Sequence, residues 1–311
     1  MLKPSPRSPG LAVVDEQRHY KTPAAFRRAL TDKLKAKAAE SRWTLPQLQR
    51  QIAYDRLLQR LYFMDDGWIL KGAAALLARD LGVRASVDID VYRRKAAVAA
   101  EVDLRTAAAT NLKDWFRFEV GVRQPAGDGV AGIRLPVRAY VGETVWAAFH
   151  VDVVGTELMM TGKPEEMPAL ARISMPDVVQ RGYKVYPLVD HVADKVAATF
   201  QLYGGGRRPS TRYRDLVDLV SIVLGASVDA EAQMTALQSE VARRGLEPPR
   251  TFSVPDRALW ESGYAREAAR SMLPAAHSLD EALAIVRPFI DPLLDGSARG
   301  RWDCERGAWV S

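Results

Sequence analysis

Residues Trp68–Arg94, WILKGAAALLARDLGVRASVDIDVYRR, read as strand, helix, turn and strand, and their last third decides the fold. Trp68, Ile69 and Leu70 form a short apolar strand, Gly72 opens a helix expected to run through Asp80, Gly82 turns the chain, and residues 87–92 form the next strand. Asp88 and Asp90 are two apart in that second strand, so both carboxylates project from one face. Aspartate is disfavoured in strands, and two unit charges about 4 Å apart repel by about 4 kcal/mol at an effective dielectric near 20. Two readings are open. A solvated edge strand lets the charges spread; alternatively, a divalent cation lies between them.

Mg²⁺ takes hard oxygen ligands and commonly uses one or two carboxylates together with substrate phosphates. In two-metal nucleotidyl transfer, ions roughly 3.5–4 Å apart hold the attacking and leaving oxygens. An Asp-x-Asp pair alone is a weak signal of such a site, and its setting sharpens it. Gly72 follows a strand at a helix start, where free backbone N–H groups and the helix dipole favour a phosphate.

Upstream, Thr22 can cap a helix that begins at Pro23 and buries Phe26, Leu30 and Leu34. A second amphipathic helix follows in LPQLQRQIAYDRLLQRLYFM, with Leu48, Ile52, Leu58 and Leu61 inward. Downstream, a helix is expected over residues 96–113, and FRFEVGV, RLPVRAYV and TVWAAFHVDVV alternate as strands of a mixed or antiparallel sheet. Past Pro187 the pattern turns helical. Val189, Val192, Val196 and Phe200 form one stripe, Leu216, Leu219, Val220 and Val223 another, and helices separated by Pro-rich turns are expected from residue 228. The reading is a bilobed α+β protein: a flexible segment over residues 1–22, a mixed-sheet domain over 23–180 and a helical domain over 181–311.

With 48% hydrophobic and 26% charged residues, the bulk of the 311-residue chain is expected to fold. No apolar run reaches the length of a membrane span, the N-terminus lacks a signal-peptide block, and the single Cys304 excludes an internal disulfide, so a cytoplasmic protein is expected. A formal charge of +6 favours a polyanionic partner. The histidines His19, His150, His191 and His277 make no zinc spacing, and nucleophile-elbow, P-loop and kinase motifs are missing.

The glycine, helical spacer and Asp-x-Asp resemble the signature of the DNA polymerase β-like nucleotidyltransferases. The wider set of ordered blocks is more specific: PAAFRRALTDKLKAKA, RQIAYDRLLQRL, the opening stretch, FHVDVV, YPLVDHVADKVA and RYRDLVDL, spanning about residues 23–225. These resemble the AbiEii/AbiGii-type nucleotidyltransferase toxins, the group that includes the mycobacterial MenT toxins. Family members read Lys-Gly-Gly or Lys-Gly-Ser where this chain has Lys71-Gly72-Ala73, which leaves Ser86 and backbone amides to cover a phosphate.

The resemblance implies an Mg²⁺-dependent transfer of a nucleoside monophosphate from NTP to an acceptor, the 3′ end of tRNA among MenT-like members, blocking aminoacylation and translation. It implies an AbiEi-type antitoxin partner. By the same resemblance Asp88 and Asp90 bind metal and Asp152 is the third carboxylate, helping to deprotonate the acceptor hydroxyl; an outward polar position between Val151 and Val153 is the alternative for Asp152. Lys71, Gly72 and Ser86 fall at the nucleotide, and Lys195 neutralises the triphosphate.

Lys195 has no acidic residue three or four positions away and Asp194 faces elsewhere on a helix, so its anion is expected from outside that helix. Asp215 is expected to hold Lys195 or another basic group, Asp218 to support its helix through Arg212 or Arg214, and His150 to pack near Asp152. Ser86 is also a candidate for phosphorylation by a partner antitoxin. The loop Gly204–Arg208, with Arg207 and Arg208, and the following Arg212 and Arg214 either grip a nucleic-acid backbone or belong to a flexible connection between two helices, and Arg93, Arg94 and Lys95 are ambiguous in the same way. Two further functions stay open: a transferase acting on a protein or small molecule, and an inactive nucleotide- or RNA-binding protein.

Overall fold

The Thr22 hydroxyl accepts a hydrogen bond from the Ala25 amide at 3.1 Å, and Pro23 opens helix α1 (Pro23–Ala39), as the capping pattern requires. The computed structural model describes residues 18–125, 132–155, 159–206 and 208–311; most of the expected flexible lead-in lies outside them. Helix α2 (Leu45–Met64) starts with a capping box between Thr44 and Gln47 and is more deeply buried than its apolar positions foretell, because Asp55, Arg56 and Arg60 are inside as well. Each has a partner. Arg60 holds Asp114 at 2.7 and 3.0 Å, and Asp55 accepts from the Leu170 and Ala171 amides at 2.9 Å and from the Tyr183 hydroxyl at 2.8 Å.

Strand β1 (Trp68–Lys71) leads straight into helix α3 (Gly72–Ala78), then comes β2 (Asp88–Arg93). The helix stops two residues short of the expected Asp80, which takes the left-handed conformation at φ 60° while the Leu81 amide returns to the Leu76 carbonyl at 2.9 Å. Helix α4 (Ala97–Ala108) is also shorter than expected; beyond it, Asp114 turns inward to the buried arginines of α2. The strands β3 (Phe116–Val120), β4 (Gln124–Pro125), β5 (Ile133–Val141), β6 (Thr144–Val154), β7 (Glu165–Met167) and β8 (Tyr183–Val185) complete a mixed sheet. Its order is β3-β5-β6-β2-β1-β8-β7, with β4 paired to β5. β2 runs parallel to β6 and antiparallel to β1.

The helical half comprises α5 (Leu188–Phe200), α6 (Tyr213–Gly225), α7 (Ala230–Arg244), α8 (Arg257–Ala269) and α9 (Leu279–Leu294). A terminal hairpin of β9 (Arg301–Asp303) and β10 (Ala308–Val310) follows where more helix was expected. Its Trp302 and Trp309 pack on Phe289 of α9, with ring centres 5.0 and 5.1 Å apart. One apolar core joins the sheet to α1, α2 and α4; a second joins α5–α9 to Leu76, Leu81 and Val83. The halves are therefore sewn together by the α3–β2 connection. The Ser221 hydroxyl donates to the Leu81 carbonyl at 2.6 Å and the Met272 amide to the Val83 carbonyl at 2.6 Å, which fixes the cleft between them.

Candidate active site

Strand pairing sets the carboxylates. In the parallel β2–β6 pair, Asp88 lies opposite His150 and Asp90 opposite Asp152, while across β1–β2 Asp90 faces Lys71. Asp88, Asp90 and Asp152 thus share one sheet face, because Ile89, Val91, Val151 and Val153 take the buried one. Gly72, the first residue of α3, is what lets the helix begin there. Its φ is 60°, and a Cβ on it would stand 1.9 Å from Asp90 Oδ2, so no side chain fits. This steric role, beside the phosphate role read from sequence, follows from the Lys71–Asp90 pairing.

The three carboxylates have unequal surroundings. Arg134, on β5 opposite Asp152, donates to both Asp152 oxygens at 2.9 Å and to Asp88 at 2.8 Å. His150 lies 3.1 Å from the other Asp88 oxygen, so it attends Asp88 and not, as expected, Asp152. Asp90 has no hydrogen-bond donor among the described residues. Its dense surroundings disfavour charge, Asp152 and then Asp88 add repulsion, and its carboxyl is pushed up to about 6 despite Lys71. Ser86, at the edge of the cleft, turns its hydroxyl onto the Asp88 carbonyl.

Across the cleft, Lys195 of α5 is buried and donates to Asp215 at 2.9 Å and Asp218 at 2.7 Å, both on α6. Its anions do come from outside its own helix. Burial opposes a charged lysine here, yet the two carboxylates raise its pKa. Asp218 is only 1% exposed, and Arg84 grips it with two bonds of 2.8 Å, so its partners are Lys195 and Arg84 and not Arg212 or Arg214. Those cations outweigh burial and hold its carboxyl below the usual range. Arg212 turns to Asp215 at 2.6 Å and Arg214 to Glu267 at 2.8 Å. Arg207 lies outside the described residues. Arg93 is buried between Asp65 and Asp103, at 2.6 and 3.0 Å, which is a structural pairing, and Lys95 joins Asp103 at 2.7 Å.

Lys71 lies 3.6 Å from Asp194 and 4.1 Å from the centre of the Tyr186 ring. Asp194 therefore pairs away from Lys195, and Arg244 meets it at 2.5 Å. The cleft measures 560 Å³ and brings together Lys71, Gly72, Ser86, Asp88, Asp90, Asp152, Lys195 and Asp215. Sequence reasoning missed Arg134, Arg84 and His191. Arg134 and Arg84 could be sought as cations two strands or one turn from the aspartates; His191 had no signal beyond its place four residues before Lys195.

A fixed metal cage of three or more His, Cys, Asp or Glu side chains is not formed among the described residues. Asp88 and Asp90 nevertheless fit a hard divalent ion. They are oxygen donors on one face, Asp90 lacks any donor, and a phosphate-bound ion needs only one or two protein carboxylates.

This fold and cleft are those of a nucleotidyltransferase. The model of the family described as nucleotidyl transferase AbiEii toxin, type IV toxin–antitoxin system, matches residues 56–286, and the chain belongs to that family. Membership implies a nucleoside triphosphate as substrate and an antitoxin as partner. Among solved structures, MenT4, a nucleotidyltransferase toxin of Mycobacterium tuberculosis H37Rv, is 18% identical, with 88% of this chain and 99% of that chain covered and a TM-score of 0.47. JHP933 from Helicobacter pylori is 15% identical, with 79% and 92% covered and a TM-score of 0.45. A comparison with curated proteins found no match. Among the described residues, no helix is long and apolar enough to cross a membrane.

Proposed function

We propose that this chain is an Mg²⁺-dependent toxin that transfers a nucleoside monophosphate from NTP to the 3′ end of tRNA in the cytoplasm, so that the tRNA is no longer aminoacylated and translation stops. The observation that carries the transfer chemistry is the Asp88–Asp90–Asp152 face, with Lys71 beside it on β1 and Lys195 across the same cleft. The tRNA acceptor rests on family resemblance and on the chain's net charge of +6. The reading assigns the nucleotidyltransferase domain to residues 23–180 and the helical domain to 181–311, and it expects an AbiEi-type antitoxin as the partner.

Asp88 and Asp90 would hold the metal, with Asp152 as a further ligand. A bound divalent ion supplies charge neutralisation on the phosphates and lowers the pKa of an oxygen it touches. The protein's own groups do the rest. Lys71 and Lys195 lie where the β- and γ-phosphates bring negative charge, and Ser86 borders the same space. Asp152 accepts the proton of the acceptor hydroxyl, whose oxygen attacks the α-phosphorus. As the new O–P bond forms, the bond to the β-phosphate oxygen breaks and pyrophosphate leaves toward the lysines. Asp215 keeps Lys195 oriented and charged.

The test is incubation of the protein, beside Asp88→Ala, with Mg²⁺, each α-labelled NTP and total tRNA. Label on tRNA with the wild type alone is the expected result. Label on protein instead, or on nothing, would overturn the tRNA reading.

A further inference from the structure

Accepting the RNA-acceptor reading above, the face that carries the carboxylates has a second half that the triphosphate cleft does not use. Across the sheet the order is Lys71 on β1, Asp90 on β2, Asp152 on β6 and Arg134 on β5. Lys71 therefore lies at one side of the aspartates. An in-line displacement needs the attacking oxygen opposite the leaving group, so the acceptor must arrive from the other side, over β6 and β5.

A groove of 770 Å³ lies there. It meets the cleft at Val87, Asp88 and Arg134, which border both. From Asp88 it follows one face of β5 and β6, on which Pro136 pairs with His150 and Arg138 with Ala148. Pro136, Ala148 and the 54%-exposed Val87 give it apolar surface, and Arg50 and Arg138 give it charge. Neither arginine forms a salt bridge among the described residues. Arg50 donates only to the Ser86 carbonyl, at 3.5 Å. Glu119, opposite Arg138, is the opposing charge, and it already bonds Tyr140 and Arg117. Arg138 bonds Tyr140 and faces Glu119, but guanidinium groups without a salt bridge of their own beside small apolar walls suit a chain of phosphates and bases better than a protein side chain.

We infer that this groove, from Arg138 to Asp88, seats the single-stranded 3′ end of the RNA acceptor, with Arg50 and Arg138 contacting its phosphates. His150, 3.1 Å from Asp88, stands where the terminal ribose enters.

The test uses the full chain and a 5′-fluorescein RNA hairpin carrying a four-nucleotide 3′ overhang, alongside the same hairpin made blunt. Binding is read by anisotropy over a salt series, and NTP binding is measured separately. Arg138→Glu and Arg50→Ala are each expected to weaken overhang binding at least tenfold, with a salt slope smaller by roughly 0.7 per lost contact, and to leave NTP affinity within twofold. The blunt hairpin is expected to bind the wild type about as weakly as the overhang binds the variants, and to be indifferent to the substitutions. If both variants bind the overhang and extend it like the wild type, the groove assignment is wrong while RNA transfer stands. If the wild type neither binds nor labels any RNA, the RNA-acceptor reading itself falls, and the groove assignment with it.

Discussion

Arg134 clasps Asp152 with two hydrogen bonds of 2.9 Å and reaches Asp88 with a third of 2.8 Å. A guanidinium therefore sits against two of the three carboxylates, in the region a divalent ion would share. Removing it leaves those carboxylates without their counter-charge, and a metal gains what Arg134 loses. Arg134→Gln is expected to tighten Mn²⁺ binding roughly tenfold, about 1.4 kcal/mol, in a titration without nucleotide. Unchanged affinity would show that Arg134 and the metal do not compete.

Lys195 is the common partner of Asp215 and Asp218, and all three are buried. Truncating the lysine leaves two carboxylates with only Arg84 and Arg212 to neutralise them. Breaking such a buried pairing costs about 3–5 kcal/mol when nothing replaces it, and the remaining arginines should cut the loss to the low end. Lys195→Ala is expected to abolish transfer and to lower stability by about 3 kcal/mol in urea unfolding. Full stability would mean that the arginines alone satisfy the pair.

Much of this was legible in the sequence because the controlling patterns were local. The Asp88–Asp90 spacing, the Pro23 helix start and the α5 and α6 stripes each follow from period and capping, and each element is present. What escaped was set by distant partners. Nothing local marks Arg56 and Arg60 as buried; their partner Asp114 lies 58 and 54 positions away. The Arg84–Asp218 clasp joins residues 134 positions apart, and Arg134 meets Asp152 only through the pairing of β5 with β6. The terminal hairpin was missed because its two strands are three residues each, too short for any periodicity to register.

His191 titrates in a direction that can be checked. Burial first, then the Lys195 charge, drops its pKa to about 3, against the attraction of Asp218 and Asp194, and its Nδ1 has no hydrogen-bond partner among the described residues. The unfolded histidine binds a proton near pH 6.5, so below that the unfolded state holds more protons and stability falls as pH drops toward 3. Asp90 acts oppositely. Its raised pKa makes the metal-free fold gain stability as pH falls through about 6. Comparison with His191→Asn separates the two. From pH 6 to pH 5 the wild type should lose about 1 kcal/mol more than the variant, by denaturant unfolding without metal. Parallel pH curves would place His191 in contact with water or with an acceptor that holds its proton.

Gly72→Ala makes the last prediction, and it separates steric from charge effects at the aspartates. The residue holds φ 60°, where an L side chain costs about 1–2 kcal/mol, and its Cβ would overlap Asp90 Oδ2 at 1.9 Å. The carboxylate is the softer partner, since Asp90 accepts no hydrogen bond among the described residues and can rotate, whereas β1 is anchored in the first core and α3 in both. The variant should therefore fold, with stability lowered by about 1–3 kcal/mol, while Asp90 is turned out of the shared face. Transfer activity is expected to drop at least a hundredfold, matching Asp90→Ala. Combining Gly72→Ala with Asp90→Ala should then restore part of the lost stability and none of the activity, as a double-mutant cycle in thermal unfolding would measure. Additive destabilisation in that cycle would show that the alanine methyl strains the β1–α3 backbone and leaves the carboxylate where it was.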